Sequence, residues 1–241
     1  MRLFALTGAG VSAESGLGTF RDKKGEGIWA RFDPIKLATP EAFARDPASV
    51  QAFYDARRRN LLDAEPNGAH VALAELERQL AARGGELTLV TQNIDDLHER
   101  AGSQRVIHMH GELLKARCLR CDAVLPCRDD LGEASACAVS ACAACKAEGA
   151  LRPHVVWFGE VPLHMEEIYA ALVHADRFVA IGTSGSVYPA AGFVAEARAL
   201  GLRTCELNLE PSDNAYLFDE RHYGKASEAV AAWAQEIIEA L

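Results

Sequence analysis

Short runs of β-branched and apolar residues recur along the chain at Leu3 to Leu6, Leu87 to Thr91, Val106 to His108, Val155 to Phe158, Phe178 to Ile181 and Thr204 to Leu207. Most end in Gly, Asn or Thr. Near-continuous apolar strands separated by helical stretches are what a parallel sheet covered on both faces requires, so the pattern predicts an α/β fold. Two segments break the alternation. From about Ile28 to Arg83 the chain reads as helical: Thr39-Pro40 and Asp46-Pro47 each offer a side-chain oxygen cap followed by proline at the first helical position. Val71, Leu73, Leu76 and Leu80 supply the apolar face of a later helix. The second segment, about Leu113 to Gly149, is rich in Ala, Cys and charge and has no long amphipathic run, which predicts a module that needs a metal to hold its shape. The expected division is a Rossmann-like domain over 1–29, 84–112 and 151–241, a helical insertion over 30–83 and a zinc-binding module over 113–150.

Composition narrows the class. With 241 residues, 49% of them apolar and 24% charged, the chain is long enough for a sizeable core and is neither disordered nor low-complexity. Lys and Arg number 25 against 34 Asp and Glu, and the net charge of -9 excludes broad electrostatic binding to nucleic acid or anionic lipid. No run approaches the roughly 18 apolar residues of a membrane span, and the apolar start from Met1 to Leu6 is too short for a signal-peptide core. Six of the 7 cysteines crowd between Cys118 and Cys145. Such a cluster without a secretory signal predicts a metal site in a reducing cytoplasm.

The first strand runs directly into Gly8-Ala9-Gly10-Val11-Ser12-Ala13, which satisfies G-x-G-x-x-A, a turn that lets backbone N–H groups approach a pyrophosphate. Taken alone this is also an ordinary strand-to-helix turn. Gly16, Gly18, Gly25 and Gly27 interrupt any long helix, and the next strand begins only near Leu87, so the chain does not continue as a dehydrogenase unit. Cys118-x-x-Cys121, then 20 residues, then Cys142-x-x-Cys145 is a four-thiolate zinc spacing, closed and therefore structural. Cys137 competes for the second half of the site, and Cys127 and Cys205 have no assigned role. His108 and His110 alternate on a strand, where either could be an ordinary core histidine.

GAGVSAESGLGTFRD at Gly8 to Asp22, TQNIDDLHERAGS at Thr91 to Ser103, HMHGEL at His108 to Leu113, LRPHVVWFGE at Leu151 to Glu160, GTSGSVYPAAGF at Gly182 to Phe193, ELN at Glu206 to Asn208 and GKAS at Gly224 to Ser227 together resemble the sirtuin family of NAD-dependent protein deacylases. Gly18 departs from the family's usual proline in this loop. The resemblance implies a cleft between an NAD domain and a small zinc module. Gly8, Ala9, Gly10, Ser12, Phe20 and Arg21 would form the cofactor loop, and Gln92, Asn93, Ile94 and Asp95 the ribose and nicotinamide pocket. Gly182, Thr183, Ser184, Asn208 and Ala226 would contact phosphate and adenosine. The motif selects His110 over His108 as general base: nicotinamide departs, the acyl oxygen captures the ribose, and His110 removes a ribose hydroxyl proton. Implied products are nicotinamide, which also inhibits, free lysine and O-acyl-ADP-ribose. The implied cofactors are NAD and one structural Zn2+, and the partners are acylated-lysine proteins, with no nucleic acid or membrane and a monomeric chain. Substrate would pair through strand-like contacts at Val156, Phe158 and Gly159 and at Gly185 to Tyr188.

Tyr54 and Arg57 lie three apart and so on one face of a helix. Spacing alone favours a solvated basic helix, since Arg57, Arg58 and Arg59 are consecutive. Tyr-x-x-Arg here, however, resembles the pair in sirtuins that remove succinyl, malonyl and related acidic groups, which implies acidic acyl-lysine as the preferred substrate with some deacetylation. A non-enzymatic nucleotide sensor and an NAD dehydrogenase are the competing readings. His110, Asn93 and Asp95 standing together oppose the first, and the interrupted helix after Gly10 opposes the second.

Overall fold

A computed structural model of the chain describes residues 1–19, 28, 32–131 and 141–241. Strand β1 (Arg2–Thr7) is buried at every position after Arg2 and ends in a short 3-10 helix, Ala9–Ser15. Helices α1 (Pro34–Leu37), α2 (Pro40–Arg45) and α3 (Pro47–Asp63) come next. The Thr39 side chain accepts from the Ala42 N–H, the Asp46 side chain accepts from the Ser49 N–H, and each cap is followed by proline, as the sequence predicts. Asn67 caps α4 (Gly68–Ala82) in a reciprocal box with His70.

The remaining elements are β2 (Glu86–Thr91), α5 (Leu97–Arg100), β3 (Val106–His108), β4 (Gly111–Cys118), β5 (Val124–Pro126), β6 (Leu151–Val155), α6 (Met165–His174), β7 (Arg177–Ile181), α7 (Phe193–Ala199), β8 (Arg203–Asn208), β9 (Glu220–Tyr223) and α8 (Ala226–Glu239). Six strands form one parallel sheet in the order β3-β2-β1-β7-β8-β9. One face packs under α4 and α8 through Leu73, Leu76, Leu80, Val230 and Trp233. The other packs under α6 and α7, where Phe4 stacks on Phe178 at 5.6 Å and meets the edge of Phe193. Each such fully buried side chain contributes about 1.5–3 kcal/mol. This is the expected α/β architecture with both faces covered.

Three sequence expectations shift. Val71 is 54% exposed, because it sits about 200° around the helix from Leu73; Ala69, Leu73, Leu76 and Leu80 form the inner face. The strand expected at Val155 to Phe158 ends at Val155 instead and belongs to a second, antiparallel sheet of order β5-β4-β6. The cysteine-rich segment therefore has strands of its own, and β4 carries an irregularity between Glu112 and Ala116 that hides its alternation in the sequence. A third buried cluster, including Tyr54, Leu61, Leu97, Leu113 and Trp157, joins α3 to this small sheet.

Candidate active site

The sheet turns outward in opposite directions from β1: β2 lies on one side and β7 on the other. Loops leaving the carboxyl ends of two strands at such a switch point diverge and leave a crevice, the usual ligand position in an open α/β sheet. The loops after β1 and β7 nevertheless touch at their base. Gly10 N donates to Gly182 O at 2.8 Å, and a Cβ on Gly10 would stand 2.7 Å from the Gly182 Cα. Gly182 itself has φ +62°, and a Cβ there would meet Val11 N at 2.4 Å, so both positions require glycine. Beyond Gly8 the chain winds into a 3-10 turn of seven residues rather than a Rossmann helix.

The loop after β2 delivers Gln92, Asn93, Ile94 and Asp95 into this crevice. Asn93 Nδ2 donates to Gly8 O (3.1 Å) and Ser12 Oγ (3.2 Å), and Ser12 Oγ donates to Asp95 Oδ2 (3.1 Å). Behind them His70 Nδ1 accepts from the Asn67 N–H, which leaves Nε2 as the protonated nitrogen facing Ser12 Oγ at 3.3 Å. Burial pushes His70 down to about 4, so it is neutral at pH 7. Burial also raises Asp95, opposed by the Leu97 N–H and Ser12. Gln92 Nε2 reaches Thr183 Oγ1 (3.3 Å), and Asn208 Nδ2 donates to Thr183 O (2.8 Å), tying the loops after β2, β7 and β8 together. Ser184 bonds Ser186, and the start of α8 at Ala226 is drawn in by Ser227, whose N–H and hydroxyl both donate to Glu14. Phe20, Arg21 and Cys137 lie outside the described residues. The sequence motifs give His70 no role, although Asn67 with His70 three residues later is a readable capping signal.

His110 sits in the turn between β3 and β4, where Gly111 has φ +80° and a Cβ would stand 2.2 Å from His154 O. Its Nδ1 donates to Gln92 O at 3.0 Å, so Nε2 carries the free lone pair. Burial lowers its pKa below 6.5, only partly opposed by that carbonyl, and a neutral acceptor results. His108 differs. Burial pushes it down, but the hydrogen bond and charge of Glu99, 2.6 Å from Nε2, outweigh burial and raise it.

One cavity is lined by Ser12, Leu17, Arg57, Asn93, Asp95 and Leu113 among others, so the structure brings Arg57 to the same space as the loop after β2. Tyr54 stands just behind, 5% exposed, and burial raises its phenol to about 12, which keeps it protonated. Trp157 Nε1 donates to Tyr54 Oη at 3.0 Å, leaving the phenol proton for another acceptor. No sequence pattern marks Trp157 for this contact. It is held in turn by Arg152, whose guanidinium lies 3.4 Å from the ring centroid and pairs with Glu160. The N–H groups of Val156, Trp157 and Phe158 are spent on His110 O, Glu160 Oε2 and Ala38 O. The Val156 carbonyl accepts nothing among the described residues, and Gly159 is exposed with φ +89°.

Further from the crevice, the Sγ atoms of Cys118, Cys121, Cys142 and Cys145 lie within 4.8 Å of one another, with Cys118–Cys145 and Cys121–Cys142 each at 3.7 Å. Four thiolates about 2.3 Å from a tetrahedral zinc stand roughly 3.8 Å apart, so the set fits that ion and leaves no position for substrate. Each Cys-x-x-Cys turns back on a residue with positive φ, Asp122 or Lys146, whose N–H bonds the carbonyl of Cys118 (3.0 Å) or Cys142 (2.8 Å).

A parallel α/β sheet with a ligand crevice at its switch point, a buried neutral histidine at that crevice and a four-thiolate module inserted before β6 define a nucleotide-dependent enzyme with a structural zinc. Residues 8–189 match the Sir2 family, and the chain belongs to it. It is 63% identical over 238 residues to an NAD-dependent protein deacylase of Caulobacter vibrioides, covering 99% of this chain and 97% of that one. It is also 53% identical to the NAD-dependent protein deacylase SIR2rp3 of Leishmania major, over 97% of this chain and 94% of that one. A Sir2 homologue solved with NAD superposes with TM-score 0.85 at 39% identity, covering 99% and 90% of the two chains. A Sir2 complex with p53 peptide and NAD+ gives 0.77 at 29% identity, covering 99% and 92%. The protein is accordingly an NAD-dependent protein deacylase of the sirtuin type. No helix among the described residues is long and apolar enough to cross a membrane.

Proposed function

We propose that this deacylase prefers succinyl- and malonyl-lysine over acetyl-lysine. The observation that carries the reading is the place of Arg57, in the wall of the cavity that Asn93 and Asp95 also line, with Tyr54 one helical turn behind it. A distal carboxylate entering that space loses its water, and Arg57 can replace it with charge-assisted hydrogen bonds while the protonated Tyr54 donates another. NAD supplies the ribose carbon to which the acyl oxygen is transferred. Gly8, Ala9, Gly10 and Ser12 with Gly182, Thr183 and Ser184 hold its phosphates, and Asn208 and Ala226 its adenosine. Gln92, Asn93, Ile94 and Asp95 orient the ribose and nicotinamide. His110 Nε2 accepts a ribose hydroxyl proton, a role its neutral, oriented imidazole suits. The Val156 carbonyl and Gly159 offer backbone groups to the peptide, with Phe158 beside them. Nicotinamide leaves and inhibits by return.

The test is to incubate the protein with NAD and matched acetyl-, malonyl- and succinyl-lysine peptides and track products by mass spectrometry. Free lysine, nicotinamide and O-acyl-ADP-ribose are expected, with kcat/KM higher for the two acidic groups. A higher value for acetyl-lysine than for both would refute the preference while leaving deacylation intact.

A further inference from the structure

Cys205 lies outside the four-thiolate centre and outside the crevice. It sits on β8 directly opposite Glu220 of β9, and Leu207 sits opposite His222. Residues two apart on a strand share a face, so Cys205, Glu220 and His222 project from the same side of the sheet edge. Their donor atoms lie within 4.8 Å of one another. We propose that Cys205, Glu220 and His222 form a second metal site, open on one side, that takes a divalent borderline transition ion such as zinc.

The donor set is a thiolate, a carboxylate and an imidazole, the three ligand types that zinc combines most readily. Once an ion displaces the thiol proton, thiolate and carboxylate together bring two negative charges to match it. Burial first, then Glu220, Glu206 and Glu236, push the Cys205 thiol up to about 12 against the pull of Arg177, so an ion must displace its proton on binding. A tetrahedral ion holds such ligands roughly 3.3–3.8 Å apart, so the donors need close by at most about 1–1.5 Å. The burial pattern says which of them move. Cys205 is 5% exposed and packed in the core, whereas Glu220 is half-buried and His222 is exposed on the edge strand, so His222 has the most freedom to adjust. Among the described residues neither the Cys205 thiol nor the His222 imidazole makes a hydrogen bond. Glu220 also pairs with Arg203, so a bound ion competes with that guanidinium for the carboxylate. Three protein ligands leave a fourth position to water, so this ion is held more weakly than the one in the closed four-cysteine centre and exchanges first.

The experiment titrates Co2+ into protein that retains its structural zinc, reading absorbance, zinc content by mass spectrometry of the metal, and the thermal midpoint. A second equivalent is expected to bind with a thiolate-to-cobalt charge-transfer band and to raise the midpoint, since it binds only the folded chain. Cys205→Ser should abolish the band, His222→Ala should weaken binding about tenfold or more, and neither should lower zinc content. His222→Ala alters an exposed side chain, so it tests the site even if Cys205→Ser folds poorly. No second equivalent in the parent protein would overturn the assignment. So would a band that survives both substitutions, or one that grows only as zinc is released.

Discussion

Replacing Arg57 by methionine isolates the acyl preference, because the new side chain keeps much of the length and loses the charge. Arg57 lies 5.7 Å over the Phe53 ring, and burial pulls its pKa down while Tyr54 and Asp95 draw it back up. On the proposed reading it meets an incoming carboxylate as a desolvated cation. A hydrogen bond to a charged group contributes about 1.5–3 kcal/mol, and a bidentate guanidinium contact belongs at the upper end. Asp95 lines the same cavity, so on that reading the variant also leaves a second carboxyl group beside the succinyl carboxylate without its cation. At 1.36 kcal/mol per decade, about 3 kcal/mol is a loss on the order of 10²-fold. Arg57→Met should lower kcat/KM for succinyl-lysine peptide by that factor and leave acetyl-lysine within several-fold, with Tyr54→Phe weaker in the same direction. Initial rates for both peptides at saturating NAD give the ratio. An unchanged succinyl-to-acetyl ratio would mean that Arg57 does not meet the acyl group.

Four further outcomes are expected. Cys142→Ala should lose zinc and soluble fold together, as metal analysis of the purified variant would report, and zinc retained there but lost in Cys137→Ala would reassign the ligand. His110→Ala should fold normally and lose about 10²- to 10⁴-fold in turnover, whereas His108→Ala should affect packing more than chemistry. Because burial depresses His110, the neutral base persists as pH falls, and the acid limb of kcat/KM should have its midpoint below 6.5; a midpoint above 6.5 would contradict the burial argument. Asp55→Ala should destabilise the protein by about 3–5 kcal/mol in urea unfolding, because it strands the fully buried Arg58 that it pairs at 2.5 Å, and adding Arg58→Met should recover part of that.

The central strands β1 and β7 are legible because burial on both faces leaves an unbroken apolar run, which β2 keeps apart from Thr88, while β8 carries only Cys205 and Leu207 around a buried Glu206. β4 is not, since one face meets α3 and the other is half-exposed, and the irregularity after Glu112 breaks what alternation remains. β9 is a four-residue edge strand with the pattern of a loop. Among site residues, the cysteine spacing and the loop after β2 can be read directly, because metal geometry and turn chemistry are local. The link from Trp157 to Tyr54 spans 103 residues of chain and the His70 to Ser12 contact spans 58, and no local pattern announces either. Spacing groups Arg58 with a solvated face, but its partners, Asp55 and the carbonyls of Leu113 and Asp129, lie mostly on other segments.

The three consecutive arginines of α3 give this helix a fixed rotational phase. Arg57 faces the cavity, Arg58 is sealed in the interior, and Arg59 reaches the surface to pair with Asp130. Each step is about 100° around the axis, so the three destinations are compatible with one angular setting only. Inserting or deleting a single residue upstream within the helix would turn the buried cation toward solvent and drive another into the core. The composition at these positions is uniform, yet the chain can drift through this helix only by exchange of side chains, never by a shift of frame.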